Sequence, residues 1–275
     1  MEDLRVAAVT CHCPVGEIRY NLDKTAHWVA RARATGASIV CFPELNISGY
    51  CLDQARYEAA AGCYEQIVAE LSALAASTGM TILAGTVRPS GRDDRWAACH
   101  LAIQPEGAVT VYEKLHIAPP EKPVFNGGQR VPLVSLESSR TTFGMQLCYD
   151  AHFPELSTRM ALDGAEILFM PHASPRHSAR EKLVSWMRHL PGRAFDNSLF
   201  IVACNQCGEN GAGLEFPGLA LALGPSGEVQ SRTLTSDGML VADLSAAELE
   251  RIRGHDMRYF LPNRRPEIYG TGNHS

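Results

Sequence analysis

The sequence predicts an α/β protein built as a layered sandwich. Three observations lead there. Apolar runs of strand length alternate with amphipathic segments of helical spacing, extra hairpin-like strand pairs interrupt that alternation, and no Pro/Gly/Ser-rich linker divides the 275 residues. The expectation is one domain over residues 1–275, with 254–275 as a tail that packs on the surface or against another subunit.

The elements follow in order. Residues 4–10 are an apolar run suited to a buried strand. Asn21 is placed to cap a helix ending near Thr35, with Ala26, Val29, Ala30 and Arg33 at helical spacing. Residues 37–42 return as a strand stopped at Pro43, and 64–77 read as an amphipathic helix stopped by Gly79. Strands 80–87, 96–103 and 109–113 are separated by turns holding Gly91, then Pro105 and Gly107. Residues 115–129, with Pro119, Pro120, Pro123, Gly127 and Gly128, form a long loop of the kind that tends to carry function. Strand 142–147 runs into Cys148, and Pro154 suits the first turn of a helix over 154–162. Strand 166–170 precedes a helix over 181–197, which Pro191-Gly192 starts, breaks or kinks. Strands 199–205, 219–224 and 239–243 complete the sheets, and Ser245 with Glu248 caps a last helix, 246–253.

Hydrophobic residues make up 45% of the chain, charged residues 20%, and the formal net charge is −5. Arg264-Arg265 and the spaced Arg251, Arg253 and Arg258 are too sparse for a nucleic-acid footprint, so a small molecule is the expected partner. No run approaches ~18 uninterrupted apolar residues, so no membrane span is expected. Glu2 and Asp3 precede only a short apolar run, unlike a signal peptide. Nine cysteines, an odd number, fit reduced thiols in a cytoplasm better than a disulfide framework. Cys11-His12-Cys13 and Cys204-Asn-Gln-Cys207 are unevenly spaced and fall short of a zinc signature, so no metal is expected.

Three segments carry candidate chemistry. Cys148 stands between an apolar strand and a helix start, where converging backbone N–H groups favour a thiolate and can hold an oxyanion; a buried structural cysteine is the plainer reading. Glu44 ends a strand in Phe42-Pro43-Glu44, at the sheet edge where α/β proteins bind ligands; alone, it reads as a solvated loop acid. Lys114 opens the Pro-rich loop as either a surface charge or a fixed cation beside developing negative charge, and Glu121 follows seven residues later. His152, four residues after Cys148, offers a cysteine–histidine dyad, although a helix starting at Pro154 need not put both on one face. Tyr149 can wall a pocket, and Asp150 can cap the coming helix. His116, His172 and His177 lie on nearby loops, and Arg176 can pair with a substrate carboxylate or simply be solvated.

Together, and in this order, these segments resemble the nitrilase superfamily of amidases, carbamoylases and nitrilases. Phe42-Pro43-Glu44 followed by Ser48-Gly49-Tyr50 is similar to the family's glutamate motif, and Glu113-Lys114-Leu115-His116 to its lysine motif. Gly144-Met-Gln-Leu-Cys148-Tyr-Asp150, then Phe153-Pro154-Glu155, is similar to its cysteine motif. Arg193-Ala-Phe-Asp-Asn197, Gly224-Pro-Ser-Gly227 and Arg264-Arg265-Pro-Glu-Ile-Tyr269 also fit, so the resemblance covers nearly the whole chain.

The resemblance implies a four-layer α-β-β-α sandwich with mixed sheets, paired across a homodimer or higher homo-oligomer. It implies a catalytic set of Glu44, Lys114 and Cys148, with Glu121 in the site and no cofactor. Tyr50, Tyr149, His172 and Arg176 are expected to touch substrate. The implied activity is hydrolysis of a non-peptide carbon–nitrogen bond in a small amide or N-carbamoyl compound through a cysteine thioester, releasing ammonia or an amine. Tyr149-Asp150 after the cysteine resembles the amidase and carbamoylase branches. A true nitrilase working through a thioimidate is the first alternative and a non-catalytic binding protein the second; a redox or metal module has least support.

Overall fold

A computed structural model describes residues 1–175 and 178–268. It contains strands β1 (Leu4–Thr10), β2 (Ile39–Cys41), β3 (Thr81–Pro89), β4 (Trp96–Ile103), β5 (Val109–Glu113), β6 (Leu133–Leu136) and β7 (Thr141–Met145). Further on come β8 (Ile167–His172), β9 (Phe200–Asn205), the short pair β10 (Gly208–Glu209) and β11 (Glu215–Phe216), then β12 (Ala220–Leu223), β13 (Val229–Thr233) and β14 (Gly238–Leu244). The helices are α1 (Ile18–Ala34), α2 (Glu58–Gly62), α3 (Tyr64–Thr78), α4 (Pro154–Leu162), α5 (Ala179–Trp186), α6 (Leu190–Asn197) and α7 (Ala246–Arg253).

Two mixed six-stranded sheets form the centre, ordered β14-β1-β2-β3-β4-β5 and β13-β12-β9-β8-β7-β6. In each, three neighbouring strands are parallel (β1-β2-β3 and β7-β8-β9) and the outer strands are antiparallel. The side-chain alternation of a strand explains the layering. Val6 and Ala8 of β1, with Ile39, Cys41 and Leu83, face the second sheet and meet Phe143, Met145 and Val202 in one core. Ala7 and Val9, with Val40, Ile82 and Ala84, face Trp28 and Val29 of α1 and Ile67 and Leu71 of α3. Helices α4 and α6 add Met160, Ala161 and Ala194 to the core around the second sheet. Strands covered on both faces read as continuous apolar runs, which is why they stand out in the sequence. The architecture is the expected α-β-β-α sandwich. No helix among the described residues is long and apolar enough to cross a membrane.

Several local expectations need correction. Helix α1 starts at Ile18 after Glu17, so Asn21 lies within its first turns instead of capping it. Its buried side chain donates to Pro14 O at 2.9 Å and Ile47 O at 2.8 Å, bracing the loop after β2. The segment 181–197, where Pro191-Gly192 was expected to start, break or kink a helix, holds two: α5 ends at Trp186 and Pro191 occupies the first turn of α6, where its missing N–H costs nothing. Strands β6 and β13 were not apparent because both are sheet edges, where one-sided pairing demands little apolar sequence, as Val229-Gln-Ser-Arg-Thr233 illustrates. In the tail, Leu261 is buried and Phe260 packs on Phe195 of α6 with ring centroids 5.4 Å apart; residues 269–275, including Tyr269, lie outside the described residues.

The loop after β2 rides against β3. Asn46 Oδ1 accepts from Gly85 N–H at 2.7 Å, and Ile47 N–H donates to Gly85 O at 2.9 Å. A methyl group on Gly85 would lie 2.4 Å from Leu45 N and 2.8 Å from His100 Nδ1. Since Leu45 already holds a φ of 53°, the loop has little room to retreat. Gly85→Ala should therefore destabilise the protein by about 2 kcal/mol, read as a lowered urea midpoint; an unchanged midpoint would contradict this packing.

Candidate active site

Four strand ends bring the candidate residues together. Glu44 sits three residues past β2, Lys114 directly follows β5, Cys148 lies just past β7, and Ala173 directly follows β8. Lys114 is pinned by its backbone: its N–H donates to Ala98 O and its carbonyl accepts from Gly128 N–H. Its side chain turns inward, and Nζ donates to Glu44 Oε1 at 2.9 Å and Glu121 Oε1 at 2.8 Å. All three side chains are buried.

The remaining carboxylate oxygens are also satisfied. Glu44 Oε2 accepts from Ala173 N–H at 3.0 Å, a bond spanning 129 residues, and Gln206 Nε2 donates to the Glu44 carbonyl at 2.7 Å. Glu121 lies in a 3-10 turn, Pro119–Glu121; its Oε1 also accepts from Tyr50 OH at 2.9 Å and its Oε2 from Ala118 N–H at 3.0 Å.

Cys148 opens the 3-10 turn Cys148–His152 with a φ of 43°, a strained conformation for a residue bearing a Cβ. Asp150 holds that turn. Its carboxylate accepts from Leu147 N–H at 3.1 Å, Tyr112 OH at 2.8 Å and His116 N–H at 2.8 Å. Asp150 thus fixes the nucleophile loop and does not cap α4. His116 stacks on Phe153 and bonds Asp150, a structural use.

Cys148 is only partly buried and faces a cavity of about 340 Å³ that Tyr50, Tyr149, Glu121, His152 and His172 also line. His172 Nδ1–H donates to Met170 O at 2.8 Å, and the His152 ring packs on His189 with centroids 4.5 Å apart. Arg176 and His177 lie outside the described residues. The structure also brings Lys182, Trp186 and His189 of the α5–α6 segment to the cavity wall, which the sequence reading overlooked. Their signal was present: Lys182 and Trp186 are four apart, and therefore on one face of a helix whose Leu183 and Trp186 are buried.

The charges set the resting proton positions. Burial pushes the Glu44 carboxyl up to about 7; the Lys114 ammonium opposes that shift and the Glu121 charge adds to it. Burial lowers the Lys114 pKa, but Glu44 and Glu121 more than offset it and hold the lysine charged. Burial and the neighbouring Glu44 push the Cys148 thiol up to about 12 against the pull of Lys114 and Lys182. Burial thus opposes the thiolate that strand-end amides favour, and the charged neighbours of the Cys148 thiol include a carboxylate able to take its proton, Glu44. Cys11 and Cys13 Sγ atoms are 3.6 Å apart in the core, and no group of three or more metal-ligating side chains occurs among the described residues.

Comparison with known proteins agrees with this geometry. A family model described as "Carbon-nitrogen hydrolase" matches residues 5–254. The chain is 30% identical over 230 residues to the deaminated glutathione amidase of Homo sapiens, covering 76% of this chain and 66% of that protein, just under two thirds of its length. It is 28% identical to a nitrilase of Pyrococcus abyssi, covering 97% and 99% of the two chains. An amidase of Nesterenkonia sp. AN1, from the nitrilase superfamily, superposes with a TM-score of 0.83 at 26% identity over 97% of this chain and 95% of that one. A mutant of that amidase carries the acetamide moiety of fluoroacetamide covalently added at its active-site cysteine.

Replacing Lys114 by Met would leave two buried carboxylates with no cation. Lys114→Met should cost about 3 kcal/mol at pH 8. Without the ammonium that holds it down, the folded-state Glu44 pKa rises further, so the native protein takes up a proton and the deficit shrinks as the pH falls. Urea melts at pH 8 and pH 6 check this; a deficit independent of pH would contradict the charge account.

Proposed function

The chain belongs to the carbon-nitrogen hydrolase family, and from that premise we propose that it hydrolyses the carbon–nitrogen bond of a small amide or N-carbamoyl compound through a thioester on Cys148. The observation that supports this most is the buried Lys114 bridge between Glu44 and Glu121, beside the cavity onto which Cys148 opens.

An amide has a weakly electrophilic carbon and a poor leaving group, so it needs a nucleophile, a proton for the departing nitrogen and a partner for the oxyanion. In this reading Glu44 takes the Cys148 proton as sulfur bonds to the carbonyl carbon. The oxyanion rests against the Lys114 ammonium and the Tyr149 N–H. Glu44 returns the proton to the nitrogen, the carbon–nitrogen bond breaks, and ammonia or an amine leaves a thioester. Glu44 then takes a proton from water, which attacks the thioester; the acid departs and the thiol is restored. Glu121 holds Lys114 in place, and Tyr50, Tyr149 and His172 wall the substrate.

Ammonia release from a panel of amides, N-carbamoyl compounds and nitriles tests the proposal. Cys148→Ala should abolish release, and release from nitriles alone would favour a thioimidate route instead. For the wild type, kcat/KM should rise with pH through a limb near 7, as the free enzyme's Glu44 loses its proton. Glu44→Gln should remove that limb and lower the rate by about 10²-fold or more. A wild-type limb that persists in Glu44→Gln would reject Glu44 as the base.

The same reading places the enzyme in the cytoplasm as a homodimer or higher homo-oligomer. Val184 of α5, Met187 just after it, Phe195 of α6 and Met257 of the tail are exposed apolar side chains available for such pairing. Light scattering should give at least twice the 29.9 kDa chain mass; an active monomer would contradict it.

A further inference from the structure

We propose that Asn205 is a positioning residue of this site, holding the Ala173 amide on the Glu44 carboxylate through the backbone of Ser174. This rests on the amide-hydrolysis reading above, in which Glu44 is the base, and adds a residue that acts on it from behind. Of the two Glu44 carboxylate oxygens, Oε1 accepts from Lys114 and Oε2 accepts from the Ala173 N–H at 3.0 Å. Ala173 directly follows β8, so whatever fixes the chain at that point fixes the donor.

The parallel ladder between β8 and β9 ends at the pair His172 and Asn205, where the His172 carbonyl accepts from Gln206 N–H at 3.3 Å. Beyond that rung the Asn205 side chain takes over. Its Oδ1 accepts from Ser174 N–H at 2.9 Å, and its Nδ2 donates to Ser174 O at 3.1 Å and Pro217 O at 3.0 Å. Among the described residues, these are the hydrogen bonds of the Ser174 backbone. Asn205 is fully buried, where a lost amide partner is costly, so the three bonds hold one another in place. Two carbonyls and one N–H call for a carboxamide; an aspartate would set an oxygen against both carbonyl oxygens. The next residue, Gln206, donates to the Glu44 carbonyl at 2.7 Å. One strand end thus grips the Glu44 backbone with one side chain and the donor to its carboxylate with the other.

The Glu44 carboxylate faces the Lys114 ammonium, the Glu121 carboxylate, the Cys148 thiol and the hydroxyls of Tyr50 and Tyr112. Lys114 and the Ala173 N–H favour its charged form, against burial and Glu121. A hydrogen bond to the charged form lowers a carboxyl pKa, so loosening Ala173 raises it.

The test reads the protonation of Glu44 itself. In infrared spectra recorded against pH, the Glu44 carboxyl band, identified by its loss in Glu44→Gln, gives the midpoint without any substrate. Asn205→Ala should raise that midpoint by about one pH unit, the order expected when a carboxylate loses a charge-assisted hydrogen bond. The kcat/KM limb near 7 should move up with it, so that the rate falls about tenfold below the limb and far less above it. Asn197→Ala, which truncates a comparably buried asparagine of α6, should leave both the midpoint and the limb in place. If Asn205→Ala does not fold, Asn205→Ser, too short to reach Ser174 N–H and O together, takes its place with the same expected shift. An unmoved Glu44 midpoint, or a rate lowered by one factor at every pH, would overturn the proposal. If no amide is cleaved, amide hydrolysis fails, and the infrared midpoint alone decides for or against Asn205.

Discussion

A lysine ammonium held between two carboxylates, with all three out of water, is the interaction on which the rest of the site depends. Three charges buried together carry a net negative charge, and a protein interior tolerates that only when every oxygen finds a donor. The fold supplies these donors: the Ala118 amide from the turn of Glu121 itself, and the Ala173 amide and the Tyr50 hydroxyl from distant places. Glu121 receives two donors besides the lysine, while Glu44 receives one at its carboxylate. Burial raises the proton affinity of Glu44 toward neutrality, against the pull of Lys114.

The sheets explain why such a cluster can be held still. In both, the parallel strands end on the side where the site lies, so Glu44 comes from one sheet and Cys148 from the other. Placement therefore depends on the packing of the two sheets against each other, through Val6, Ile39, Phe143 and Met145, as well as on the loops themselves. The Asn21 and Asn46 side chains tie the Glu44 loop to α1 and β3, converting a turn into a rigid mount.

Features governed by neighbours in sequence were readable in advance. Strands β1, β4 and β5 and helices α4 and α7 fall where apolar runs, Pro154 and Ser245 place them. The convergence of Glu44, Lys114 and Glu121 was readable only through the order of their motifs, since no local signal joins positions 44 and 114. What escaped notice depends on tertiary surroundings: the bracing by Asn21, the edge strands β6 and β13, and the inward turn of Lys182. The protonation of Cys148 depends on those surroundings too. Converging amides at a strand end are a local cue, but burial beside a carboxylate is a property of the assembled site, and it dominates.

The resting protonation of Cys148 has a consequence for chemical survival. Peroxides attack thiolates, and burial beside Glu44 disfavours that form of Cys148. The Cys148 sulfur is therefore less open to sulfenic acid formation than an ionised one would be, although it faces a cavity. A protein whose accessible cysteine stays protonated loses it to peroxide more slowly than one whose cysteine waits already ionised.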